Sequence, residues 1–363
     1  MSTMINQDAN SQVENSTSEV WQIIEKLQNE LASVLRRHEA GKDVDGLRIL
    51  SYVRSTIEKA LLLTQNEPPT DVSIDDLLQG YWVQVEQRSD CAPTGFKTLN
   101  DMLGGGFESK RLVVVLGAPN SGKTTFVHQI ADHIADSGRP VLYVTSEDIP
   151  HDLFSKTLAR IGNVHYTAVQ KGWEAERAKI TMALALQSQR VSTKRLRYLD
   201  ASRGISLDII REKARAHFEQ YSNKGQGIII VDYLQRIARA IRAMGSFSFE
   251  LREAVTVLTE QLRALACELD CCVVAIASQN RASGYTTNTS SLASAKESGD
   301  IEYTADVIMA LGDDSERKPM KSFTKSLLLR IDKNRQGDKD KKIGLDFQPD
   351  RQLFTEVMKS SVT

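Results

Sequence analysis

The sequence predicts an α/β fold with a central, mainly parallel β-sheet, and two observations lead to it. From about residue 94 to residue 357, short apolar runs alternate with longer stretches of helical periodicity. This alternation is typical of parallel strands covered by helices on both faces. The first run, at residues 112–116, continues through a glycine-rich turn into a predicted helix at residues 124–137. We therefore expect ligands to bind where the strands end and the helices begin.

Eight apolar runs are predicted to be strands. Three later ones are separated by short polar loops, which favours an antiparallel extension at one edge of the sheet. The first five have predicted helices between them, as a parallel arrangement requires. The predicted strands are residues 112–116, 141–145, 196–199, 227–231, 272–277, 307–311, 326–331 and 343–347.

The chain before the sheet has a different character. Its first stretch is polar and lacks periodicity, so we expect a disordered tail. Apolar residues at helical spacing then predict a helical hairpin, which ends at Pro68-Pro69. Ser73 and Asp76 form a near capping box, which predicts the start of a linker helix. The predicted segments are a tail (1–16), a small helical hairpin (17–70), a linker helix (71–93) and an α/β domain (94–363).

Composition narrows the class of protein. The 363 residues include 46 Lys and Arg against 47 Asp and Glu, so nucleic-acid contact would need a local basic patch. Cys91, Cys267, Cys271 and Cys272 lack the spacing of a disulfide framework or a zinc site. The chain has no apolar run of membrane-spanning length and no signal peptide, so we expect a cytoplasmic protein without a membrane partner. Cys271 and Cys272 begin the apolar run CCVVAIA and are expected to be buried.

The glycine-rich turn has the spacing of a phosphate-binding loop. Residues 117–124, GAPNSGKT, fit the pattern G-x-x-x-x-G-K-[ST]. Gly117 and Gly122 allow successive N–H groups to point at phosphate oxygens, next to the positive end of the following helix. Lys123 is expected to reach the β- and γ-phosphates, and Thr124 to ligate Mg²⁺. The predicted ATP site consists of Gly117, Ala118, Pro119, Asn120, Ser121, Gly122, Lys123, Thr124 and Thr125.

Acidic residues follow two of the predicted strands. Asp232 ends the run GIIIVD, a position from which a carboxylate can hold Mg²⁺ through its water shell. Glu147 and Asp148 follow the strand at 141–145, at the edge where open α/β sheets bind ligands. We predict Glu147 as the general base that polarises the attacking water, with Asp148 as the alternative. A turn or capping role is the competing interpretation of each acid.

Two further sets of residues are candidates for contact with the phosphates of a nucleotide. Gln279 follows the strand at 272–277, where a neutral amide can bind a γ-phosphate and report its loss. Lys333 and Arg335 begin a charged segment, residues 332–342. They are candidates for the cations that a ring ATPase supplies to a neighbouring subunit's nucleotide. A solvated hairpin is the competing interpretation.

Basic residues near predicted loops suit single-stranded nucleic acid. Arg236, Arg239 and Arg242 recur at three-residue spacing and precede an aromatic-bearing stretch, residues 244–249. Such residues bind phosphates while aromatic rings stack on bases. A solvated arginine face is the alternative. Residues 282–296, rich in Ser, Thr and Gly, are a second candidate loop.

The chain contains, in this order, the blocks PTGFKTLNDMLGG, GAPNSGKTTF, IIIVDYLQRI, ASQNR followed by KESGDIEYTADVIM, and LLRIDKNRQG. Together they resemble the RecA-like ATPase domain of DnaB-type replicative helicases, across residues 71–356. The resemblance implies a hexameric ring that hydrolyses ATP with Mg²⁺, binds single-stranded DNA and separates strands. It also implies that the linker helix docks on a neighbouring subunit.

The resemblance also implies individual roles. Glu147 matches the catalytic glutamate, Asp232 the Walker B acid and Gln279 the phosphate-sensing glutamine, while Lys123 and Thr124 bind phosphate and Mg²⁺. Lys333 and Arg335 match the K-x-R pair that acts in trans. The family's DNA-binding loop falls on Lys296, Glu297 and Gly299.

Two functions follow as expectations. The complete catalytic set favours a helicase. The family's usual N-terminal domain, which forms a collar and meets primase, is replaced in residues 1–70 by the shorter predicted hairpin. This replacement favours the alternative, an ATPase that assembles on DNA or partner proteins in recombination, mobile-element or defence systems without unwinding. A loader or another replication protein is the expected partner of the hairpin.

Overall fold

A computed structural model describes residues 25–36, 53, 56, 73–221, 226–244, 251–278, 299–317, 323–335, 337–338 and 341–357. The chain divides into two compact units, Met1–Tyr81 with Arg242–Ser248 and Trp82–Ile241 with Phe249–Thr363. In the first unit, residues 25–36 form a helix, α1. The predicted tail and the remainder of the predicted hairpin, apart from residues 53 and 56, lie outside the described residues. No helix in the described ranges is long and apolar enough to cross a membrane.

A second helix, α2 (Ile74–Ser89), lies within the predicted linker and has the predicted cap. Asp76 N donates to Ser73 Oγ and Ser73 N donates to the Asp76 carboxylate, each at 3.1 Å. This reciprocal pair is a capping box, and its hydrogen bonds lower the pKa of Asp76. Among its described side chains, the exposed apolar ones are Ile74, Leu77, Leu78, Tyr81, Trp82 and Val85.

The larger unit is built on a nine-stranded sheet. The strands are β1 (Arg111–Gly117), β2 (Val141–Thr145), β3 (Leu196–Asp200), β4 (Ile228–Asp232), β5 (Cys272–Ser278), β6 (Val307–Asp313), β7 (Lys325–Asn334), β8 (Lys341–Gln348) and β9 (Leu353–Glu356). Their order is β3-β2-β4-β5-β1-β6-β7-β8-β9. The first six in this order are parallel, and the remaining pairings are antiparallel. All eight predicted strands and the mainly parallel sheet are confirmed.

Three details differ from the sequence expectation. The strand β6 is parallel to β1, so antiparallel pairing starts only between β6 and β7. The charged segment 332–342 is not all loop: its start belongs to β7, where Lys333 and Asn334 pair with β6, and its end, Lys341 and Lys342, pairs with β7. The strand β9 was not predicted, since its four residues, LFTE, are too short to display a strand pattern.

Helices cover both faces of the sheet. They are α3 (Lys97–Met102), α4 (Lys123–Asp136), α5 (Pro150–Gly162), α6 (Tyr166–Lys171), α7 (Arg177–Gln189), α8 (Ser192–Arg195), α9 (Leu207–Glu219), α10 (Leu234–Met244), α11 (Leu251–Glu268) and α12 (Gly299–Thr304). Val113 and Val115 pack into the core beneath α4, whereas Val114 and Leu116 pack into the core beneath α11. Because β1 is buried on both faces, its sequence is a continuous apolar run. The two adjacent cysteines, which precede and begin β5, are buried as predicted.

The parallel strands give the sheet two chemically different ends. We call the end where β1, β2, β4 and β5 finish the carboxyl edge, and the end where they start the amino edge. Because β7 is antiparallel to β6, β7 finishes at the amino edge, with Val307 opposite Asn334. The predicted phosphate-binding loop follows β1 and therefore lies at the carboxyl edge, whereas the residues just after β7 lie at the amino edge.

Candidate active site

The loop between β1 and α4 has the backbone of a phosphate cradle. Gly122, the residue before α4, has a left-handed φ of 89°, and Asn120 has a φ of 64°. A side chain at position 117 would come within 2.5 Å of the Leu311 carbonyl oxygen. Glycine is therefore required at 122 by its conformation and at 117 by close packing. No side chain of the described residues caps α4, so its first N–H groups are available to an anion.

Two polar groups of the loop fit phosphate oxygens. The Lys123 ammonium is buried and donates to the Ala118 carbonyl at 2.6 Å. Burial lowers the pKa of Lys123 to about 8, against the opposing influence of Asp232 and Glu147. Ser121 Oγ is buried and meets no hydrogen-bond partner within the described part of the chain. A buried cation and an unpaired hydroxyl beside free N–H groups match the charge and hydrogen-bonding needs of a nucleotide's phosphates.

The two predicted magnesium ligands are in contact. Asp232, at the end of β4, is 2% exposed. Its carboxylate accepts from Tyr143 Oη at 2.8 Å and from Thr124 Oγ1 at 3.3 Å. Burial raises the pKa of Asp232 to about 6, although both hydrogen bonds act against it. Because its closest partners are neutral, this carboxylate retains negative charge that suits Mg²⁺.

This pair would hold magnesium only together with the nucleotide. Within the described ranges there is no group of three or more His, Cys, Asp or Glu side chains that could hold a metal ion alone. One hydroxyl and one carboxylate are few ligands for Mg²⁺, which commonly takes its remaining ligands from substrate phosphates and water. The arrangement is therefore that of a nucleotide-borne magnesium.

The two acids that follow β2 have different environments. The Asp148 carboxylate forms an ion pair with Lys156 of α5. Glu147 is exposed, and its charge acts on Lys123. Ser146 anchors this segment, because its N and Oγ each donate to the Asp232 carbonyl at 2.8 Å. The engagement of Asp148 with a lysine favours Glu147 as the general base.

Sequence reasoning missed Gln235, which fixes the end of β5. Gln235 Nε2 donates to the Ser278 carbonyl at 3.1 Å, and Ser278 N donates to Gln235 Oε1 at 3.2 Å. The predicted sensor, Gln279, comes directly after Ser278 but lies outside the described residues. The pairing was hidden because Gln235 sits in the helix after β4, and only the adjacency of β4 and β5 brings it to Ser278.

The predicted DNA contacts are described only in part. Arg236 and Arg239 are exposed on α10, whose opposite side is buried in the core. Their spacing thus places them on one side of a helix. The side chain of Arg242 and the whole of Lys296 and Glu297 lie outside the described residues. The same is true of the second predicted loop, 282–296, and of the first, 244–249, except for Met244, which ends α10. Gly299 begins α12.

Lys333 and Arg335 lie at the amino edge, beside the carboxyl end of α12. Arg335 Nη1 donates to Asp306 Oδ1 at 3.3 Å, and its Nη2 donates to the Tyr303 carbonyl at 2.6 Å. Lys333 Nζ donates to the same carbonyl at 3.3 Å and to the Glu302 carbonyl. The sequence placed both residues in a loop, but Lys333 belongs to β7.

The length of β1 separates this pair from the chain's own phosphate-binding loop. Asp306 forms an ion pair with Arg111, the first residue of β1, whereas the loop begins at Gly117. Six residues of strand span roughly 20 Å. The structure therefore does not bring Arg335 to the phosphate-binding loop of the same molecule.

The strand β9 packs against the phosphate-binding loop and the start of α4. A Cβ at position 122 would lie 3.0 Å from the ring of Phe354. Gln129 of α4 exchanges two hydrogen bonds with the Phe354 backbone, at 2.9 and 2.8 Å. Thr125 Oγ1 donates to Gln352 Oε1 at 2.9 Å. These contacts hold the first turns of α4 against the β8–β9 hairpin.

A six-stranded parallel core with a phosphate cradle and a buried acid at its carboxyl edge defines a P-loop ATPase domain of the RecA-like class. Within that class the chain belongs to the DnaB-like helicase C-terminal domain family, which it matches over residues 91–356. The resemblance seen in the sequence is thereby confirmed.

Relatives in sequence agree with this membership. The chain is 30% identical over 225 residues to the replicative DNA helicase DnaB of Pasteurella multocida, covering 60% of this chain and 45% of that protein. It is 29% identical over 269 residues to the replicative DNA helicase DnaC of Bacillus subtilis, covering 71% and 56%. The chain thus spans about half the length of the curated relatives it matches.

Two solved structures share the fold. One is an isolated ATPase domain, which superposes with a TM-score of 0.66 at 21% identity, covering 80% of this chain and all of that one. A DnaB-like replicative helicase, solved to show its interactions with primase, gives 0.67 at 18% identity, covering 99% of this chain and 81% of that one. At these identities the likeness shows the fold alone.

Proposed function

We propose that this chain is an ATP-dependent DNA helicase that works as a ring and couples Mg²⁺–ATP hydrolysis to movement along single-stranded DNA. One observation is central to the proposal. The phosphate cradle and the cationic pair Lys333 and Arg335 lie at opposite edges of one sheet, so a complete hydrolytic site needs two copies of the chain. The names of the relatives, replicative DNA helicases, point to strand separation as the work that hydrolysis drives.

Each residue has a defined task in the proposed reaction. Lys123 and the N–H groups of α4 bind the β- and γ-phosphates, and Thr124 and Asp232 hold Mg²⁺, which offsets phosphate charge when bound. Glu147 orients the attacking water and accepts its proton. Arg335 and Lys333 of the adjacent copy stabilise the charge that develops on the phosphate.

Gln279 is proposed to sense the γ-phosphate and to pass its loss to the DNA-binding residues. Its position after β5 supports this, because Gln235 fixes the residue before it. The proposed DNA contacts are Arg236, Arg239, Arg242, Lys296, Glu297 and Gly299. The exposure of the first two on one side of α10 supports their part in binding phosphates.

The assembly is proposed to be a homo-oligomeric, hexameric ring in the cytoplasm. Subunits whose cradle meets the next subunit's cations form a head-to-tail interface, which closes into a ring. The exposed apolar side chains of α2, including Ile74, Leu78 and Trp82, support docking of this helix on another copy. A loader or primase-like partner is proposed for the segment before residue 71.

Strand displacement on a forked DNA with ATP and Mg²⁺ tests the proposal. The wild-type chain and Lys213→Ala, which removes a solvent-exposed lysine from α9, should displace the strand. Lys123→Ala should not bind nucleotide and should not displace the DNA strand. DNA-stimulated hydrolysis without displacement would contradict the helicase and support the assembly ATPase.

A further inference from the structure

Asp306 is buried at the joint between α12 and β6, and it is tied to β1. The residue is 1% exposed. Its N donates to the Leu112 carbonyl at 2.9 Å, and its Oδ2 accepts from Leu112 N at 2.9 Å. Both the backbone and the carboxylate of Asp306 are therefore fixed against the amino edge of the sheet.

Three guanidinium groups surround this one carboxylate. Arg263 Nε lies 2.7 Å from Oδ2, while Arg335 Nη1 and Arg111 Nη1 lie 3.3 and 3.6 Å from Oδ1. Arg111 also pairs with Glu108 at 3.2 Å. Since cations outnumber carboxylates, the cluster retains positive charge. The side chain of Arg335 is 46% exposed, against 24% for Arg263 and 18% for Arg111, so it presents that charge to an incoming anion.

The Arg335 side chain is held in place by hydrogen bonds that occupy only some of its N–H donors. Its N donates to the Asp306 carbonyl at 3.0 Å, and its Nη1 donates to the Asp306 carboxylate. Its Nη2 donates to the Tyr303 carbonyl. A guanidinium has five N–H donors, and the described residues accept from the Arg335 side chain in two hydrogen bonds, which leaves three donors for a phosphate among the contacts that the structure describes. An oriented cation with donors to spare suits a phosphate that arrives on another molecule.

The structure assigns to Asp306 the role of a positioning residue for Arg335. It orients the guanidinium at the surface of one subunit so that the nucleotide of the adjacent copy meets it in a fixed geometry. The inference rests on the proposed function, because it requires Arg335 to act in trans.

The first measurement is DNA-stimulated ATP hydrolysis by Asp306→Asn. A small displacement of a catalytic group costs on the order of 10²-fold, so kcat should fall roughly 10- to 100-fold while KM stays within about threefold. Arg335→Ala and the double variant with Asp306→Asn should share one kcat, because the two residues act as a unit. Lys213→Ala, which removes an exposed lysine of α9 outside this cluster, is the control and should keep kcat.

A mixing experiment separates positioning from general damage. Asp306→Asn subunits keep an intact cradle, whereas Lys123→Ala subunits keep an intact Arg335. Mixed assemblies should hydrolyse ATP faster than either variant alone, because each variant supplies what the other lacks. If Asp306→Asn fails to fold by circular dichroism, Asp306→Glu, which keeps the charge and displaces it by one methylene, takes its place in the same mixture.

The outcomes are distinguishable. No gain in the mixture, or an unchanged kcat in Asp306→Asn, would overturn the positioning role while leaving wild-type turnover intact. A wild-type chain without DNA-stimulated hydrolysis would overturn the proposed function and this inference together. A mixture that regains activity, with non-additive single variants, is the result we expect.

Discussion

Asp232 and Asp306 are equally buried aspartates at opposite edges of the same sheet, and their partners differ in kind. Asp232 meets the neutral hydroxyls of Tyr143 and Thr124, and burial raises its pKa to about 6. Asp306 meets three guanidinium groups. Asp232 therefore has no cation among its hydrogen-bond partners within the described residues, whereas the cluster around Asp306 has cations in excess. Two copies arranged head to tail would bring these complementary edges together.

The largest effect that bears on this comparison is expected from Glu147→Gln at the carboxyl edge. Loss of a general base commonly costs about 10²- to 10⁴-fold in rate, so hydrolysis should fall to that extent while nucleotide binding is kept. Asp148→Asn is the matched control, because it removes the neighbouring carboxylate, which is paired with Lys156. Steady-state hydrolysis and fluorescent-nucleotide titration measure both quantities. The reverse ranking of the two variants would move the base to Asp148.

An effect of intermediate size is expected on stability, and replacing the buried aspartate by asparagine should have opposite signs at the two edges. Asp232 has a raised folded-state pKa, so its ionised form destabilises the fold increasingly as pH rises from about 4 to about 6, and the cost persists above that range. At pH 7.5 and without nucleotide or Mg²⁺, Asp232→Asn should raise the melting temperature by a few degrees, roughly 1–2 kcal/mol. Asp306→Asn should lower the free energy of unfolding by about 3 kcal/mol, and the melting temperature with it, because the substitution leaves guanidinium groups without their carboxylate.

Calorimetric melts of the two variants measure this contrast. At about pH 3, where Asp232 is largely protonated in both the folded and the unfolded chain, the advantage of Asp232→Asn should largely vanish. Melting temperatures that shift in the same direction at pH 7.5 would contradict the difference between the two aspartates.

The smallest effect is expected in the pH dependence of nucleotide binding. The pKa of Lys123 is lowered to about 8 by burial, so the free protein loses this positive charge as pH rises through 8. Binding of the anionic nucleotide must then restore the proton, and the affinity should fall by up to about tenfold per pH unit above 8. Titrations between pH 7 and 9.5 measure this slope. Lys123→Arg, which stays charged, should show no such slope.

The features that the sequence predicted are local ones. The phosphate-binding loop, the strands that flank it and Asp232 are each defined by neighbours in the chain, so pattern and spacing were sufficient to find them. Tyr143, Gln235 and Asp306 were missed because their partners come from strands that are adjacent in space but distant in sequence. The sheet order, in which β4 separates β2 from β5, creates those contacts, and no short pattern encodes it.

Some site residues were predicted from the sequence without their position in the fold, and this too has a physical reason. Lys333 and Arg335 were found by their charge, but their position relative to the chain's own cradle depends on β7 being antiparallel to β6. The predicted preference for Glu147 over Asp148 gains support from Lys156, which lies eight positions beyond Asp148 on α5 and pairs with it. The predicted domain boundaries stay predictions.

The contacts between β9 and α4 have a consequence for the order of synthesis. A ribosome completes the whole phosphate-binding motif by Thr125, but Gln352 and Phe354, which support it from below, are added more than two hundred residues later. A chain interrupted before residue 350 would contain every residue of the motif without the strand on which the loop rests. The nascent chain should therefore acquire its affinity for nucleotide only after this distant strand has emerged and paired with β8.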